Sequence, residues 1–182
     1  MQLSHFIRQK PYEHIEHLLR RHPFTFLPKI GFFLLLTTLP IILIFMLKAI
    51  FPTLFTHEIY CPILILVGST YFLFITLFFY TEFTDYYLDL WIITNDRIID
   101  VEQLGLFSRT ISETDLYRIQ DVTTDVKGFF ATFLHYGTVT VTTASTNANI
   151  VFRNVPDPNK IRNDLIHLAD EDRKYHHADL PK

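Results

Sequence analysis

Two uncharged apolar blocks interrupt a chain that is otherwise richly polar. Residues 30–47 (IGFFLLLTTLPIILIFML) number 18 and residues 59–81 (IYCPILILVGSTYFLFITLFFYT) number 23, and each block holds 13 Leu, Ile, Val or Phe. At 1.5 Å rise per residue they reach about 27 and 34 Å, bracketing a hydrocarbon core of roughly 30 Å. At about −0.3 to −0.6 kcal/mol for each such residue, insertion into lipid gains roughly 4–8 kcal/mol before polar residues are subtracted. As helices of a soluble core they would be hydrophobic all round, and 182 residues leave too little protein to surround both. The pattern predicts a transmembrane helical hairpin over residues 30–81.

Details of the blocks fit a hairpin. Pro40 lies mid-span and predicts a kink that the second helix accommodates. Gly68, Ser69 and Thr70 offer a small-residue contact face for the first helix. The connection at 48–58 is short and contains Pro52, so it reads as a tight turn outside the bilayer. Residues 1–29 are polar and periodic, which argues against a cleavable signal peptide. They carry Arg8, Lys10, Arg20, Arg21 and Lys29, against Lys48 alone in the turn, and this asymmetry places both termini in the cytoplasm of a bacterial-type cell. Tyr80, Phe83, Tyr86, Tyr87 and Trp91 crowd the exit of the second block, as an interfacial aromatic belt does. Neither block contains Asp, Glu, Lys, Arg or His, which argues against transport by this chain alone. Cys61 reads as a small buried hydrophobe or, less simply, as a palmitoylation site.

Residues 1–29 read as a cytoplasmic juxtamembrane segment. A helix there turns Ile15, Leu18 and Leu19 toward lipid and the basic residues Arg8, Lys10, Arg20, Arg21 and Lys29 toward headgroups, at about 1 kcal/mol each. The same helix sets His14 and His17 on one face with His22 further on, but structural zinc needs more ligands than these and no Cys is near.

Beyond residue 81 the period shortens. Residues 86–94 (YYLDLWIIT) alternate with Leu88, Leu90 and Ile92 on one face, and Asn95-Asp96 makes a two-residue turn into 97–103 (RIIDVEQ). Gly105 marks the next reversal, followed by a short strand at 109–112 and an exposed one-sided strand at 119–126 (IQDVTTDV). Residues 129–135 (FFATFLH) read as a helical turn plugging the sheet. Residues 138–143 (TVTVTT) place Val139 and Val141 inward and pair with 149–155 across a polar loop at 144–148. Asp157 and Pro158 then start a helix as N-cap and first residue, with Ile161, Leu165 and Leu168 as one apolar stripe. The acidic run Asp170, Glu171, Asp172 opposes the helix dipole and predicts fraying, so the soluble domain spans 82–171 and 172–182 is a flexible tail. The fold class is α+β, a two-helix hairpin followed by a curved antiparallel sheet or partial barrel closed by a C-terminal helix. That order fits a pleckstrin-homology-like barrel and other small α+β folds alike.

A resemblance narrows the choice. Residues 91–99 (WIITNDRII), 105–109 (GLFSR), 116–122 (LYRIQDV), 136–141 (YGTVTV) and 155–158 (VPDP) together resemble the bacterial pleckstrin-homology-like domain of the YdbS/YdbT-like membrane-flanked family. That family also places a two-span hairpin before the domain, and Arg20-Arg21-His22-Pro23 is similar to its juxtamembrane segment. The resemblance covers nearly the whole chain and implies a membrane-anchored binding role in assembly or stress tolerance. It implies no catalytic group.

Composition excludes more than it offers. One cysteine forbids an internal disulfide and any Cys-rich metal site, and a formal charge of −3 gives nucleic acid no electrostatic footing. No G-x-S-x-G elbow, glycine-rich phosphate loop or H-E-x-x-H is present, so no catalytic residue, cofactor or metal is assigned. Residues 82–182 hold 16 acidic and 10 basic side chains, net −6, and the 104–110 turn contributes only Arg109, which argues against a specific phosphoinositide site. The remaining partners are the bilayer, another protein, or a second copy of the chain. Candidate contacts are Leu106, Phe107 and Arg109 in that turn and Gln120, Val122 and Thr124 on the exposed strand. The alternative is an accessory subunit of a transport or secretion complex that works through its hairpin.

Overall fold

In a computed structural model, residues 10, 12–53, 59–144 and 149–178 are described, with backbone alone for 175–178. They form two compact units, Pro23–Tyr86 and a second that ends at His22 and resumes at Tyr87. The strand that precedes the hairpin in sequence therefore belongs to the same unit as those that follow it.

In the first unit a 3-10 turn, Pro23–Phe26, leads into α1 (Leu27–Ile50), and α2 is Tyr60–Leu88. Both helices are long and apolar enough to cross a membrane. Among the described residues α1 buries none and α2 buries only Ile75. The seam uses large side chains. Phe33 and Phe79 meet at 4.3 Å with their rings tilted by 30°, and Phe26 stacks on Tyr86 at 4.8 Å. Tyr71, Ile75 and Phe79 fall at i, i+4 and i+8 on α2, so they share one face. The expected Gly68, Ser69, Thr70 face is not the contact: Ser69 and Thr70 are exposed, and a Cβ added to Gly68 would touch nothing. Pro40 has no N–H to give the Leu36 carbonyl, and the Tyr71 hydroxyl donates to that carbonyl instead at 2.9 Å. Lys29 pairs with Glu82 at the other end of the seam. Residues 54–58 of the expected turn lie outside the described residues.

The second unit is two antiparallel sheets and a helix. β1 (Ile15–Arg20), β2 (Leu90–Thr94), β3 (Arg97–Leu104) and β4 (Ser108–Asp115) form one sheet in that order. β5 (Ile119–Asp125), β6 (Tyr136–Thr143) and β7 (Asn149–Pro156) form the other. The short helix α3 (Phe129–Phe133) joins β5 to β6, and α4 (Pro158–Ala178) closes the chain. Inward residues of both sheets, including Leu19, Trp91, Ile98, Val122, Val139 and Phe152, meet Ile161, Leu165 and Ala169 of α4 in one core. The Asn95-Asp96 turn forms as expected, with the Thr94 hydroxyl donating to the Arg97 carbonyl at 2.9 Å and accepting the Arg97 N–H at 3.0 Å. Gly105 adopts φ 72° at the next reversal. Gly137 is required for a different reason: a Cβ there would lie 2.9 Å from the Asp125 carbonyl oxygen.

Several expectations are corrected. Residues 15–20 are a strand, not a lipid-facing helix, with Leu19 opposite Trp91 in the core and Leu18 opposite Ile92. The competing principle is pairing, because β2 supplies a ladder that an isolated short helix lacks. Residues 86–88 end α2 rather than begin a strand, and β4 has eight residues rather than four. The Phe129–Phe133 helix forms but plugs nothing, because only Ala131 is buried. Asp157 precedes α4 in the left-handed region at φ 46°, and its carbonyl receives the Lys160 and Ile161 N–H groups. The helix does not fray at Glu171 but continues to Ala178, because Asp172 is buried and accepts the Tyr117 N–H at 3.0 Å.

Candidate functional site

At one end of the sheets the segment before β1 grips the β2–β3 turn. His14 N–H donates to Asn95 Oδ1 at 2.9 Å, and Asn95 Nδ2 donates to the Tyr12 carbonyl at 3.2 Å. Lys10 Nζ reaches Asp96 Oδ2 at 2.5 Å, and this hydrogen bond holds the Lys10 amine up at about 12. The Arg97 guanidinium clasps Glu13 with two bonds, Nε to Oε1 at 2.9 Å and Nη2 to Oε2 at 2.8 Å, and also reaches Glu113 at 2.6 Å. Burial works to raise the Glu13 carboxyl, but the Arg97 bonds and the Lys10 N–H outweigh it and leave it below the usual range. Arg97 is held correspondingly high, chiefly by its bond to Glu13.

The opposite end carries both the chain's passages to the helices and its most exposed apolar side chains. Asp89, one residue past α2, accepts the Gln103 N–H at 2.7 Å and pairs with Arg21. Beyond Gln103, in the 105–107 turn, Phe107 is 98 % exposed and Leu106 half-buried, with Arg109 exposed at the start of β4. His22 donates its N–H to the Asn154 carbonyl at 2.7 Å and stacks on Tyr136 at 5.1 Å. Three residues before Tyr136, α3 presents Phe129, Phe130 and Phe133 at 79, 57 and 71 % exposure. Nearby, half-buried Asp100 has its carboxyl pushed up to about 6 by burial, with the Glu102 and Asp89 charges adding to the effect.

The expected basic headgroup face is already committed elsewhere. Lys10, Arg21 and Lys29 are ion-paired to Asp96, Asp89 and Glu82, and the Arg20 guanidinium lies 5.5 Å from the Tyr87 ring centre. Arg8 lies outside the described residues. The reason is burial: each carboxylate in these pairs is more shielded than a solvated one and captures the nearest cation. The histidines do not converge. His14 meets Glu16 at 2.7 Å, His17 meets Asp164 at 3.2 Å, and among the described residues no group of three or more ligands is placed to hold a metal.

The expected β5 surface is corrected most sharply. Val122 is 2 % exposed and belongs to the core, because a register shift between Ile119 and Asp121 turns it to the same inward face as Ile119. Gln120 is exposed, and Thr124 is half-buried with its hydroxyl 3.2 Å from Asn159 Oδ1. The strand's outward carbonyls are covered by α4: Arg162 Nε donates to the Val122 carbonyl at 2.9 Å and Arg173 donates to the Ile119 carbonyl. By contrast β4, at the edge of the other sheet, is exposed at each position from 108 to 113. Sequence reasoning missed the α3 tip although its signal was present: three Phe at i, i+1 and i+4 on one helical turn cannot all face a core.

A family model described as bacterial PH domain matches residues 29–169. Among solved structures, the chain is similar to a DUF1696-family protein with a pleckstrin-homology domain from Shewanella loihica, at 14 % identity and TM-score 0.37, covering 44 % of this chain and 70 % of that one. It is also similar to a pleckstrin homology domain from Shewanella amazonensis, at 16 % identity and TM-score 0.36, covering 44 % of this chain and 66 % of that one. No curated protein matches.

Proposed function

Because this chain belongs to the bacterial PH domain family, we propose that it is a membrane-anchored, non-catalytic binding protein. It presents its sheet-and-helix unit at the cytoplasmic face of a bacterial inner membrane for assembly with another protein or a second copy. The observation that carries the reading is the pairing of β1 with β2 across the helical hairpin. Strands can pair only on one side of a bilayer, and two spans return the chain to the side it left. A helix pair that buries only Ile75 among its described residues also needs an apolar surrounding that the rest of the chain does not provide. The Lys and Arg excess before the first helix supports the cytoplasm as that side.

The partner contact is the outer edge of β4, next to Arg109. An exposed edge strand of eight residues offers backbone donors and acceptors to an added strand. The test is purification in mild detergent with particle mass and co-purifying proteins measured together, for the parent chain and for Ile111→Lys. The expected result is an assembly that the parent holds and Ile111→Lys loses at an unchanged melting temperature. Equal recovery from both chains overturns the β4 contact.

A second reading, action through the hairpin as a subunit of a larger membrane complex, is favoured by one feature. An apolar groove of about 290 Å³ runs between the helices, lined in part by Phe32, Phe33, Leu36, Ile75 and Phe79. Exchanging the hairpin for an unrelated one separates the two: β4-dependent assembly survives the exchange, and hairpin-dependent assembly does not.

A further inference from the structure

The two exposed apolar tips lie at the same end of the sheet unit, and the chain passes to and from the hairpin at that end. Gln103 is bonded to Asp89, which follows α2 directly, and Phe107 is four residues further along. Tyr136 stacks on His22, the last residue before Pro23, and Phe133 is three residues away. At up to about 3.4 Å per residue, and with the Asp89–Gln103 and His22–Tyr136 contacts added, each tip is tethered within roughly 20–25 Å of the residues that flank the helices. The far end of the unit is unsuited to lipid, being occupied by Lys10, Glu13, Asp96 and Arg97 in mutual ion pairs.

We infer that Phe107 with Leu106, and Phe129, Phe130 and Phe133, form a two-point apolar contact with the lipid surface, entering the interfacial layer of the bilayer that the hairpin crosses. The inference rests on the anchored reading above. Phe at the interface contributes apolar area without a charge, and both tips are short and flanked by strands, so they enter lipid without unfolding anything. Two separated points fix the unit's orientation, where one would leave it free to rotate. The contact recognises a bilayer surface, not a headgroup species.

The test uses the full chain with Cys61→Ser, carrying a single cysteine as Phe107→Cys, Phe133→Cys or, for comparison, Asn163→Cys on the exposed side of α4. Each is nitroxide-labelled and reconstituted into phosphatidylcholine–phosphatidylglycerol vesicles. Relaxation by oxygen, which partitions into lipid, is compared with relaxation by an aqueous nickel chelate. The expected oxygen-to-nickel ratio is severalfold higher at 107 and 133 than at 163. A ratio at the tips equal to that at 163, in chains that resist carbonate extraction, overturns the lipid contact and leaves the anchor standing. Protection seen in native membranes and absent from pure lipid vesicles also overturns it, since the occupant is then a protein. Release of the chain by carbonate overturns anchor and contact together.

Discussion

The sheet unit and the helical hairpin solve the problem of apolar surface in opposite ways. The sheet unit turns it inward, sealing Ile93, Ile98, Val139 and Phe152 under α4, and uses charged residues as internal fasteners at its edges. The hairpin turns it outward, keeping polar contacts for its seam, where Tyr71 serves Leu36 and Lys29 meets Glu82. One unit carries its apolar solvent within itself, and the other requires one outside. A paired charge is therefore a fastener in either unit, and an unpaired charge on the outer face is a fault only in the hairpin.

The largest expected effect is in the sheet unit. Glu13→Ala removes the two-bond partner of shielded Arg97 and leaves it with exposed Glu113, at a cost of about 3–4 kcal/mol, the lower part of the range for breaking a buried pair. Chemical denaturation in detergent measures it, and a loss under about 1 kcal/mol would mean that the clasp is solvated. Next, Leu43→Arg places a charge at an exposed mid-helix position of α1, costing about 2.5–3.5 kcal/mol of insertion. Thr123→Arg, exposed on β5, costs insertion nothing. The readout is the membrane-inserted fraction, and equal fractions for both variants would erase the contrast between the units.

Asp100 gives a smaller effect of opposite sign. Its folded carboxyl titrates at about 6, above the ordinary range near 4. The folded state thus holds this proton more tightly than the unfolded state, and stability falls as pH rises from about 4 to about 6. Asp100→Asn is expected to stabilise the sheet unit by about 1–2 kcal/mol at neutral pH and by nothing below about 4, as thermal melts across that range would show. Smallest is the seam. Tyr71→Phe costs the hairpin about 1 kcal/mol, and the cost disappears with Pro40→Ala, which restores the N–H that Leu36 lacks. A double-mutant cycle in a helix-association assay reads the coupling, and simple additivity would dissociate Tyr71 from Pro40.

How much of this was legible in the sequence follows from the range of the interactions. The helical blocks, the Asn95-Asp96 turn and the inward Val139 and Val141 rest on neighbours within a few positions, and the pattern of residues reveals them. β1 does not. Its partner β2 begins 70 residues after it, beyond the hairpin, and its short alternation reads equally as one helical turn. The fate of the basic residues was hidden for the same reason: Lys10 and Asp96 are 86 positions apart, and Arg97 and Glu13 are 84 apart. Of the candidate contacts, Phe107 stands exposed, whereas Val122 turns inward because the core, not the edge, claims that side of β5. The α4 arginines that cover the edge follow from where the helix lies, which no local pattern of β5 contains.

A single labelling experiment probes the shared premise most directly. In the Cys61→Ser chain, Phe51→Cys sits just past the end of α1 and Asn163→Cys sits on the sheet unit. A membrane-impermeant maleimide applied to intact spheroplasts and to inverted vesicles should label position 51 only in the former and position 163 only in the latter. Labelling of both positions from the same side would contradict the crossing.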